Sequence, residues 1–396
     1  MRAGTFLAQA LEDLEYLRSL RRDLHREPEL GYREEKTARR VRQELESLGL
    51  PVMAGLGGTG VLGRLDMGRP GPVFVLRADM DALPLQEDTA APYRSVHPGV
   101  MHACGHDVHT AWLVGAARLL VRHREDLSGT VLFLFQPAEE SLGGAQKVLA
   151  SGALDGYDVD GVFGAHVWPL EVGRFLLIPQ AAMASSGNLR IEVRGQGGHG
   201  ARPQDCRNPV PGAVAIALGL YSLMSAYRDP QSEELLTLCS IRAGDKFNVV
   251  PDRAVIEGTF RAFSEDRMEE LQEAFRNLAV HTARGMGLEA DVSYHGTYPP
   301  LINDDRMLER AGRVIRDLAG EDAIVRQQRG LMIAEDFSFY ARRWPGAYVM
   351  IGAGTGPLCR LHTSGFDVDE SVLAWGVAFL ALCGAGGGPA GDGTTV

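Results

Sequence analysis

The stretch VFVLRADMD, residues 73–81, is typical of a buried β-strand that ends in two acidic side chains. An apolar segment at helical period follows at 111–121, and VLFLF at 131–135 has the composition of a second strand. Strand, helix and strand in this order favour a parallel β-α-β unit, because parallel strands need a long crossover connection. These residues therefore predict an α/β fold class.

The same alternation continues on both sides of this unit. Leucines recur at helical spacing over 11–24, a second helix is predicted at about 34–48, and strand-like runs lie at 60–65, 162–166 and 347–351. Alternation of this kind predicts a mostly parallel sheet with helices on both of its faces.

The pattern changes in the middle of the chain, where an inserted module is predicted. The order of elements there is strand, helix, strand, strand, helix, strand, which is that of a small ferredoxin-like α+β fold. We therefore predict a discontinuous α/β domain, 1–184 and 298–396, that is interrupted by this module at 185–297. The Gly-rich end of the chain, from about residue 385, is expected to be disordered.

The composition limits the classes of partner and of compartment. The net charge is −11, whereas a protein whose main partner is a nucleic acid needs a basic face. The five cysteines are scattered and odd in number, which indicates reduced thiols. The N-terminus has no apolar signal-peptide core, and no stretch approaches the roughly 20 apolar residues of a membrane span. We expect a cytoplasmic protein that binds neither nucleic acid nor membrane.

The segment MHACGHDVHT, residues 101–110, is the strongest functional signal. It places a cysteine, three histidines and an aspartate directly before an apolar helix. Cys104 and His106 are two residues apart, so their side chains lie on one side of an extended segment. A thiolate and an imidazole together suit a borderline-soft ion such as Zn²⁺. A core cysteine beside structural histidines is the alternative, but packing gives no reason for so many donor groups in one loop.

Four further candidates lie at the ends of predicted strands. Glu139 and Glu140 follow VLFLF in the segment QPAEES, and open α/β sheets place their sites at the carboxyl ends of strands. Adjacent side chains diverge, so one carboxylate can bind metal while the other faces a water molecule. His166 and His362 follow apolar runs that are predicted to end at the same edge. Each of these side chains, taken alone, more often has a structural role. Their common position at the ends of predicted strands favours a functional role for the whole set.

Two weaker groups complete the candidates. Asp79 and Asp81 follow the first strand and can accept a hydrogen bond that fixes a metal-bound histidine, although an Asp-rich turn fits the same spacing. His199 lies among glycines in GQGGHGARP, where the backbone can approach a ligand closely.

Together, eight segments resemble the aminoacylase and hippurate-hydrolase family of dinuclear-metal amidohydrolases and carboxypeptidases. Within that family the sequence is most similar to bacterial N-acyl-amino-acid hydrolases and plant auxin-conjugate hydrolases. The segments are, in chain order, RADMDALP, MHACGHDVHTA, FQPAEE, GAHVWP, GGHGARP, FNVVPD, GTFRAF and AEDFSFY. The chain departs from the family pattern at Gly200 and Gln204, where alanine and histidine are usual.

The resemblance implies a metallopeptidase-like catalytic domain and a role for each candidate. It makes Glu139 the general base, and it implies that His199, Asn248 and Arg261 serve the substrate from the inserted module. In the family that module is a lid that commonly joins two subunits, and its histidine can reach the partner's active site. A homodimer or dimer-based oligomer is therefore expected. The resemblance assigns two divalent metal ions per subunit to five ligands: Cys104, His106, Glu140, His166 and His362.

The expected function is metal-dependent hydrolysis of small N-acyl amino acids of the N-acetyl or N-benzoyl type. Zinc or manganese is the expected metal, with cobalt or nickel as further candidates. Two alternatives stay open, namely a metallo-dipeptidase or carboxypeptidase on the same scaffold and a metal-binding scaffold protein without catalysis. The CGHD segment favours the acyl-amino-acid branch, and the intact Glu139 argues against a scaffold without catalysis.

Overall fold

The computed structural model describes residues 3–140, 143–227, 233–356 and 358–385. The chain divides into two compact units. The first contains Met1–Ala182, Ile302–Arg329 and Asp336–Val396, and the second contains Met183–Leu301 and Gly330–Glu335. The second unit thus includes a short segment, 330–335, that lies far outside the boundaries predicted for the inserted module. The Gly-rich end of the chain that was expected to be disordered lies outside the described residues from 386 onward.

The helices of the described residues are α1 (Ala3–Glu12), α2 (Leu14–Arg26), α3 (Glu35–Ser47), α4 (His106–Arg122), α5 (Gly144–Ala150), α6 (Pro209–Tyr227), α7 (Glu265–Gly285), α8 (Asp305–Ala319), α9 (Ser338–Arg343) and α10 (Val372–Gly384). The strands are β1 (Val52–Leu56), β2 (Gly60–Asp66), β3 (Val73–Asp79), β4 (Thr130–Gln136), β5 (Gly161–Trp168), β6 (Phe175–Leu177), β7 (Gln180–Met183), β8 (Ser185–Arg194), β9 (Gly198–His199), β10 (Leu235–Ala243), β11 (Val249–Val250), β12 (Arg253–Ala262), β13 (Glu289–Tyr298), β14 (Leu301–Asn303), β15 (Ile324–Arg326) and β16 (Gly346–Gly352).

The first unit is built on an eight-stranded sheet of order β1-β2-β4-β3-β5-β16-β6-β15. The pairs β4-β3, β3-β5, β5-β16 and β6-β15 are parallel. The pairs β1-β2, β2-β4 and β16-β6 are antiparallel. The predicted α/β fold on a mixed, mostly parallel sheet is therefore confirmed. Its central strands are the apolar runs that the sequence marked as buried.

The helices α4 and α10 are buried on nearly all sides in the core of the first unit. α10 is apolar around its whole circumference and α4 is mostly apolar after its first turn, as expected of helices inside a core. They approach closely at Gly376 in α10, where an added Cβ would lie 2.2 Å from the ring of Trp112 in α4. An added Cβ on Gly115 in α4 would lie 2.4 Å from Val377. This close packing fixes the position of α4, whose first residues carry the candidate metal ligands.

The second unit is an antiparallel sheet of order β10-β12-β8-β13, packed against α6 and α7. Apart from the short strands β9 and β11, which pair with each other, its elements follow one another as strand, helix, strand, strand, helix, strand, so the predicted ferredoxin-like module is confirmed. Alternate residues of β8, such as Leu189, Ile191 and Val193, are buried in the core of this unit. This period of two along β8 is typical of a strand that buries one of its faces.

The predicted helix over 11–24 is distorted at Asp13. α1 ends at Glu12 and α2 begins at Leu14, although the Asp13 C=O still accepts the N–H of Leu17. The Asp13 carboxylate lies 2.8 Å from a guanidinium nitrogen of Arg122 at the end of α4. This ion pair joins the N-terminal helices to α4 at the place where the helix is interrupted.

The helix α6 carries no charged side chain along its 19 residues. Its segment Pro209–Ala226 is the one helical stretch, among the described residues, that could cross a membrane by length and composition. The expectation that the chain has no stretch of this kind is corrected by α6, although a core helix passes the same test. Ala213, Ile216 and Leu220 pack in the core of the second unit, but only 33% of the segment is buried.

The carboxyl ends of the parallel strands lie at one edge of the first unit's sheet. β3 ends at Asp79, which pairs with Gln136 at the end of β4. β5 and β16 pair in parallel beside them, with His166 opposite Met350. The chain segments that follow these strands therefore start close to one another, at the edge where open α/β sheets place their functional sites.

Candidate metal centre

The helix α4 begins at His106, directly after Cys104 and Gly105. Gly105 has a φ of 85°, in the left-handed region that glycine adopts without strain. An added Cβ at Gly105 would lie 2.5 Å from Val167, so the loop also needs glycine for its close approach to β5. Cys104 is 8% exposed and His106 is 1% exposed. The start of α4 thus places a thiol and an imidazole together in a buried position.

Glu139 and Glu140 lie in the turn that follows β4. Ala138 before them has a φ of 56°, which is uncommon for a residue that carries a Cβ. The two carboxylate oxygens of Asp81 accept the N–H groups of Glu139 and Glu140, each at 3.0 Å. One buried carboxylate therefore fixes the backbone of both glutamates, and their side chains diverge from a held turn.

His166 and His362 both reach the thiol of Cys104. The Nε2 atom of each histidine lies 3.3 Å from Cys104 Sγ. His362 Nε2 is also 3.0 Å from Glu140 Oε1. The backbone N–H of His362 donates to the C=O of Ala103 at 2.8 Å, which joins the loop of His362 to the loop before α4. The structure thus brings together side chains that are far apart in the sequence.

The five predicted ligands form two groups of donor atoms that share Cys104. The donor atoms of Cys104, His106 and His166 lie within 4.8 Å of one another, and so do those of Cys104, Glu140 and His362. Thiolate, imidazole and carboxylate together fit a divalent transition-metal ion. His106 Nε2 is buried and has no hydrogen-bond partner among the residues that the structure describes. The donor set therefore fits two ions with Sγ as a common ligand.

Burial and charge affect the ionisation of these ligands in opposite ways. Burial, followed by the neighbouring Glu140 carboxylate, raises the pKa of the Cys104 thiol well above its usual value. Burial lowers the pKa of His106, but nearby carboxylates, Asp79 first, outweigh it and raise that pKa to about 10. A divalent cation opposes both effects, because it favours the thiolate and the neutral imidazole. Metal binding at this centre is therefore coupled to the release of protons.

Asp81 and Asp79 orient two different histidines. Asp81 Oδ1 lies 3.3 Å from His106 Nδ1, which leaves His106 Nε2 for a metal ion. Asp79 Oδ1 instead lies 2.6 Å from His109 Nδ1, and Asp79 Oδ2 is 3.8 Å from His106 Nε2. Both aspartates were expected to be candidates for fixing a metal-bound histidine. By geometry, Asp81 hydrogen-bonds the ligand ring directly and Asp79 acts through His109.

His109 is a buried residue of the centre that was not among the candidates from the sequence. Its Nε2 accepts the N–H of Val167 at 3.0 Å, so it holds the end of β5 next to His166. Burial lowers the pKa of His109 despite the nearby Asp79 carboxylate, and a neutral ring is what the accepted hydrogen bond requires. The available signal was the spacing in HDVHT, because residues three apart share one face of a helix.

A buried network of polar side chains lies beneath Asp79. Arg77 donates to Asp79 Oδ2 and to Asp336 Oδ1, each at 2.7 Å, and to Gln136 Oε1 at 2.9 Å. Gln136 Nε2 also donates to Asp336. All four side chains are buried. A buried carboxylate is costly unless it is paired, so Arg77 allows two acidic residues to lie under the centre.

A second buried network holds the residue that follows His106. Asp107 Oδ2 lies 2.7 Å from Arg21 Nε and 2.8 Å from His25 Nδ1. Arg21 also donates to Asp367 Oδ1 at 2.9 Å. Burial raises the pKa of Asp107, but Arg21 and His25 outweigh it and lower that pKa far below its usual range. The N-terminal helix α2 thereby ties the segment of His106 to the loop that follows His362.

The three candidate substrate residues lie in the second unit. His199 in β9 pairs with Val249 in β11, and the N–H of Gly200 donates to the C=O of Asn248 at 2.9 Å. The structure therefore brings His199 and Asn248 together, both of them exposed. Arg261 lies on β12 and is half-buried, and burial lowers its pKa.

Residues 75–383 match peptidase family M20/M25/M40. The chain belongs to this family. It is 37% identical to an IAA-amino acid hydrolase of Arabidopsis thaliana over 95% of this chain and 86% of the relative. It is 36% identical to hippurate hydrolase of Campylobacter jejuni over 91% of this chain and 94% of the relative.

A solved structure is similar over nearly its whole length. It is a dinuclear metal-binding peptidase of the M20 family from Bacillus subtilis, 34% identical, with a TM-score of 0.81. The match covers 94% of this chain and 97% of that structure. The family resemblance stated from the eight sequence segments is confirmed, and this M20 protein is a hydrolase.

Replacement of Cys104 by alanine is expected to lower the metal content of this M20 protein at both positions. Both groups of donor atoms include Cys104 Sγ, whereas His166 belongs to only one. Cys104→Ala should therefore weaken the binding of both ions and His166→Ala that of one, each by at least about the 10- to 100-fold in affinity that loss of a ligand's hydrogen-bond partner costs. Metal per chain is measured by plasma mass spectrometry after equilibrium dialysis at limiting metal concentration.

The control is Cys383→Ala, because Cys383 is a buried thiol in α10 and belongs to neither donor group. It should keep the metal content of the wild type. A Cys104→Ala protein that retains as much metal as the control would contradict a shared cysteine ligand.

Proposed function

We propose that this chain hydrolyses the amide bond of N-acyl amino acids with two divalent metal ions, releasing a carboxylate and a free amino acid. The observation that carries the proposal is the pair of donor groups that share Cys104, with Glu139 beside them. Hippurate hydrolase and the N-acetylcysteine deacetylase of Bacillus subtilis, both 36% identical, support an acylated amino acid as substrate. The dinuclear metal-binding peptidase supports two ions.

Glu139 is proposed as the general base. Its side chain lies in a buried position, and one of its oxygens is within 4.8 Å of donor atoms of His106 and Glu140. A carboxylate at this distance can reach a water molecule that lies between it and the ligand atoms. The adjacent Glu140 is the ligand, so the two carboxylates divide the tasks of metal binding and proton transfer.

The reaction consumes one water molecule and transfers its protons through Glu139. The ions, when bound, supply Lewis acidity that polarises the scissile carbonyl and lowers the pKa of water. Glu139 accepts a proton from the attacking water, whose oxygen forms a bond to the carbonyl carbon. The protonated Glu139 then donates to the amide nitrogen as the C–N bond breaks. The products are the carboxylate of the acyl group and the free amino acid.

Three residues of the second unit are assigned to the substrate. A guanidinium matches the α-carboxylate of an amino acid, and Arg261 has no carboxylate partner among the described residues. Asn248 is assigned to the same carboxylate. His199 is assigned to the oxyanion that forms at the carbonyl carbon, a task usually worth about 100- to 1000-fold in rate.

Zinc or manganese is proposed as the metal, with cobalt and nickel as alternatives. The thiolate of Cys104 favours the softer Zn²⁺, whereas the carboxylate of Glu140 also suits Mn²⁺. Metal availability in the cell contributes as well, because affinity alone follows a fixed order along the series of divalent ions.

A homodimer through the second unit is also proposed. Val214, Leu218 and Tyr221 are 47%, 65% and 47% exposed and form one apolar stripe along α6. Strand β10 is one of the two edge strands of the sheet, and its Leu235 and Ile241 are 39% and 50% exposed. An open strand edge beside an apolar stripe indicates a surface that another protein chain covers.

The cytoplasm is proposed as the compartment. Cys206 and Cys239 are solvent-accessible, and none of the five cysteines, all within the described ranges, forms a disulfide. Accessible free thiols are typical of proteins kept in a reducing environment.

The function is tested with purified protein loaded separately with Zn²⁺ and Mn²⁺. N-acetyl and N-benzoyl amino acids should be hydrolysed, and their methyl esters at the α-carboxylate should react poorly because Arg261 then lacks its charged partner. Glu139→Gln should lower kcat by at least about 100-fold, because the amide cannot accept the proton. Release of free amino acid is followed by liquid chromatography.

The metal content of Glu139→Gln serves as the control and should equal that of the wild type, because Glu140 remains. Hydrolysis of dipeptides in preference to acylated amino acids would replace the proposed substrate by that of a dipeptidase. Metal without hydrolysis of either class would indicate a scaffold, and an active Glu139→Gln would remove Glu139 from its role.

Leu218→Glu is expected to dissociate the dimer without unfolding the second unit. The new charge would be buried at an apolar interface in the dimer, whereas in the monomer it stays at an exposed position of α6. The mass in solution is measured by sedimentation velocity. Glu269→Ala on α7, also exposed, is the matched control and should remain dimeric. A wild-type protein that sediments as a monomer would contradict the proposed association.

A further inference from the structure

The turn after β4 is held by buried carboxylates from distant parts of the chain. Asp81 accepts the N–H groups of Glu139 and Glu140. The N–H of Ala138, one residue earlier, donates to Glu34 Oε1 at 2.8 Å. Glu34 precedes α3 and is separated from Ala138 by 104 residues. Three successive N–H groups of the turn are therefore bound by two side chains.

Glu34 is fully buried, and both of its oxygens have donors. Thr59 Oγ1 donates to Glu34 Oε2 at 2.5 Å, while Ala138 takes the other oxygen. Burial raises the pKa of Glu34 above its usual value, because the charged form loses its water. Burying a carboxylate is costly unless its oxygens accept hydrogen bonds, and the oxygens of Glu34 accept them from Thr59 and Ala138. The backbone of Ala138 is the feature that Glu34 contacts within the candidate centre.

Ala138 is held in an unfavourable backbone conformation. Its φ of 56° lies in the left-handed region, where a Cβ crowds the following carbonyl oxygen and only glycine is free of strain. Ala138 is fully buried, and its own C=O accepts the N–H of Gly144. An added Cβ on Gly144 would lie 1.6 Å from the Pro137 oxygen, so α5 begins in close contact with the backbone of the turn. The hydrogen bond from the N–H of Ala138 to Glu34 stabilises this conformation and so offsets part of its strain.

We propose that Glu34 is a positioning residue for the metal centre: by accepting the N–H of Ala138 it keeps that residue left-handed and so directs Glu139 and Glu140 toward their tasks. Asp81 fixes the two following N–H groups only if the chain enters the turn in this conformation. Without Glu34, Ala138 can return to an ordinary φ, and that rotation displaces the two glutamates. The effect on Glu139 rests on the proposed function, in which Glu139 is the general base. The effect on Glu140 is measured as metal affinity and does not depend on that function.

The first test compares Glu34→Ala and Glu34→Gln with the wild type. The amide oxygen of Gln can still accept from Ala138, and its NH₂ group can donate to Thr59 Oγ1, so Glu34→Gln should remain close to wild type. Glu34→Ala should lower both kcat and metal affinity by about 10- to 100-fold. Hydrogen exchange of the peptide that contains Ala138, followed by mass spectrometry in metal-free protein, should become faster in Glu34→Ala only.

The matched control is Glu29→Ala. Glu29 accepts the N–H groups of Lys36 and Thr37 at the start of α3, so it stabilises the same segment without contacting the turn. Whatever its effect on thermal stability, Glu29→Ala should leave metal affinity and exchange at Ala138 unchanged. Equal effects of the two variants on metal affinity would show a general structural role and overturn the proposal.

The second test adds Ala138→Gly to Glu34→Ala. Glycine adopts a positive φ without the Cβ penalty, so the double variant should recover roughly tenfold of the activity and metal affinity lost in Glu34→Ala. A double variant no better than Glu34→Ala would overturn the proposal, because relief of backbone strain would then not replace Glu34.

The outcomes separate this proposal from the proposed function. If Glu139→Gln remains active while Glu34→Ala still loses metal affinity and is rescued by Ala138→Gly, the base assignment fails and the positioning role stands. If Glu139→Gln is inactive and Glu34→Ala keeps wild-type metal affinity and exchange, the positioning role fails alone.

Discussion

Carboxylates buried beneath the metal centre must each have a partner, and this constraint shapes the first unit. Asp79 and Asp336 share Arg77, while Asp81 takes two backbone N–H groups of the turn after β4. Each pairing offsets the loss of water around a charged group, which would otherwise be costly. Since the partners come from different elements, satisfying these charges also fixes the strands and loops that carry the ligands.

The same charges make the centre selective for a cation. The carboxylates that raise the pKa of His106 also oppose ionisation of the Cys104 thiol. Both effects are those of a site with excess negative charge, which a divalent ion relieves. His109 is hydrogen-bonded to Asp79 on one side and to the backbone of β5 on the other. Because its pKa is lowered and its ring is neutral, it holds Asp79 in place without adding a positive charge to the site. The ligands and the residues behind them therefore form one electrostatic unit.

The predictable part of this protein is what short segments encode. The run of strand, helix and strand around β3 and β4 showed the sheet, because burial and period are local properties. Cys104 and His106 were recognisable because core packing does not explain so many metal-donor side chains in one short loop. Glu139 and Glu140 followed from the rule that open α/β sheets place their sites at strand ends.

The supporting residues could not be found in this way, since their partners are distant in sequence. Arg77 and Asp336 are 259 residues apart, and Glu34 and Ala138 are 104 apart. A single arginine in a strand or a glutamate before a helix has no pattern of its own. The left-handed φ of Ala138 was equally hidden, because glycine is the usual signal for that conformation. Likewise, the sequence could not show that Asp81 contacts His106 and Asp79 contacts His109, because this depends on which carboxylate oxygen faces which ring.

Anomalous diffraction data from crystals of the metal-loaded protein, collected at the absorption edge of the metal, would show whether two ions share the thiolate of Cys104. Two anomalous peaks are expected, both next to Cys104 Sγ, one with His106 and His166 and the other with Glu140 and His362. A single peak, or two peaks that do not both contact Cys104, would contradict this arrangement.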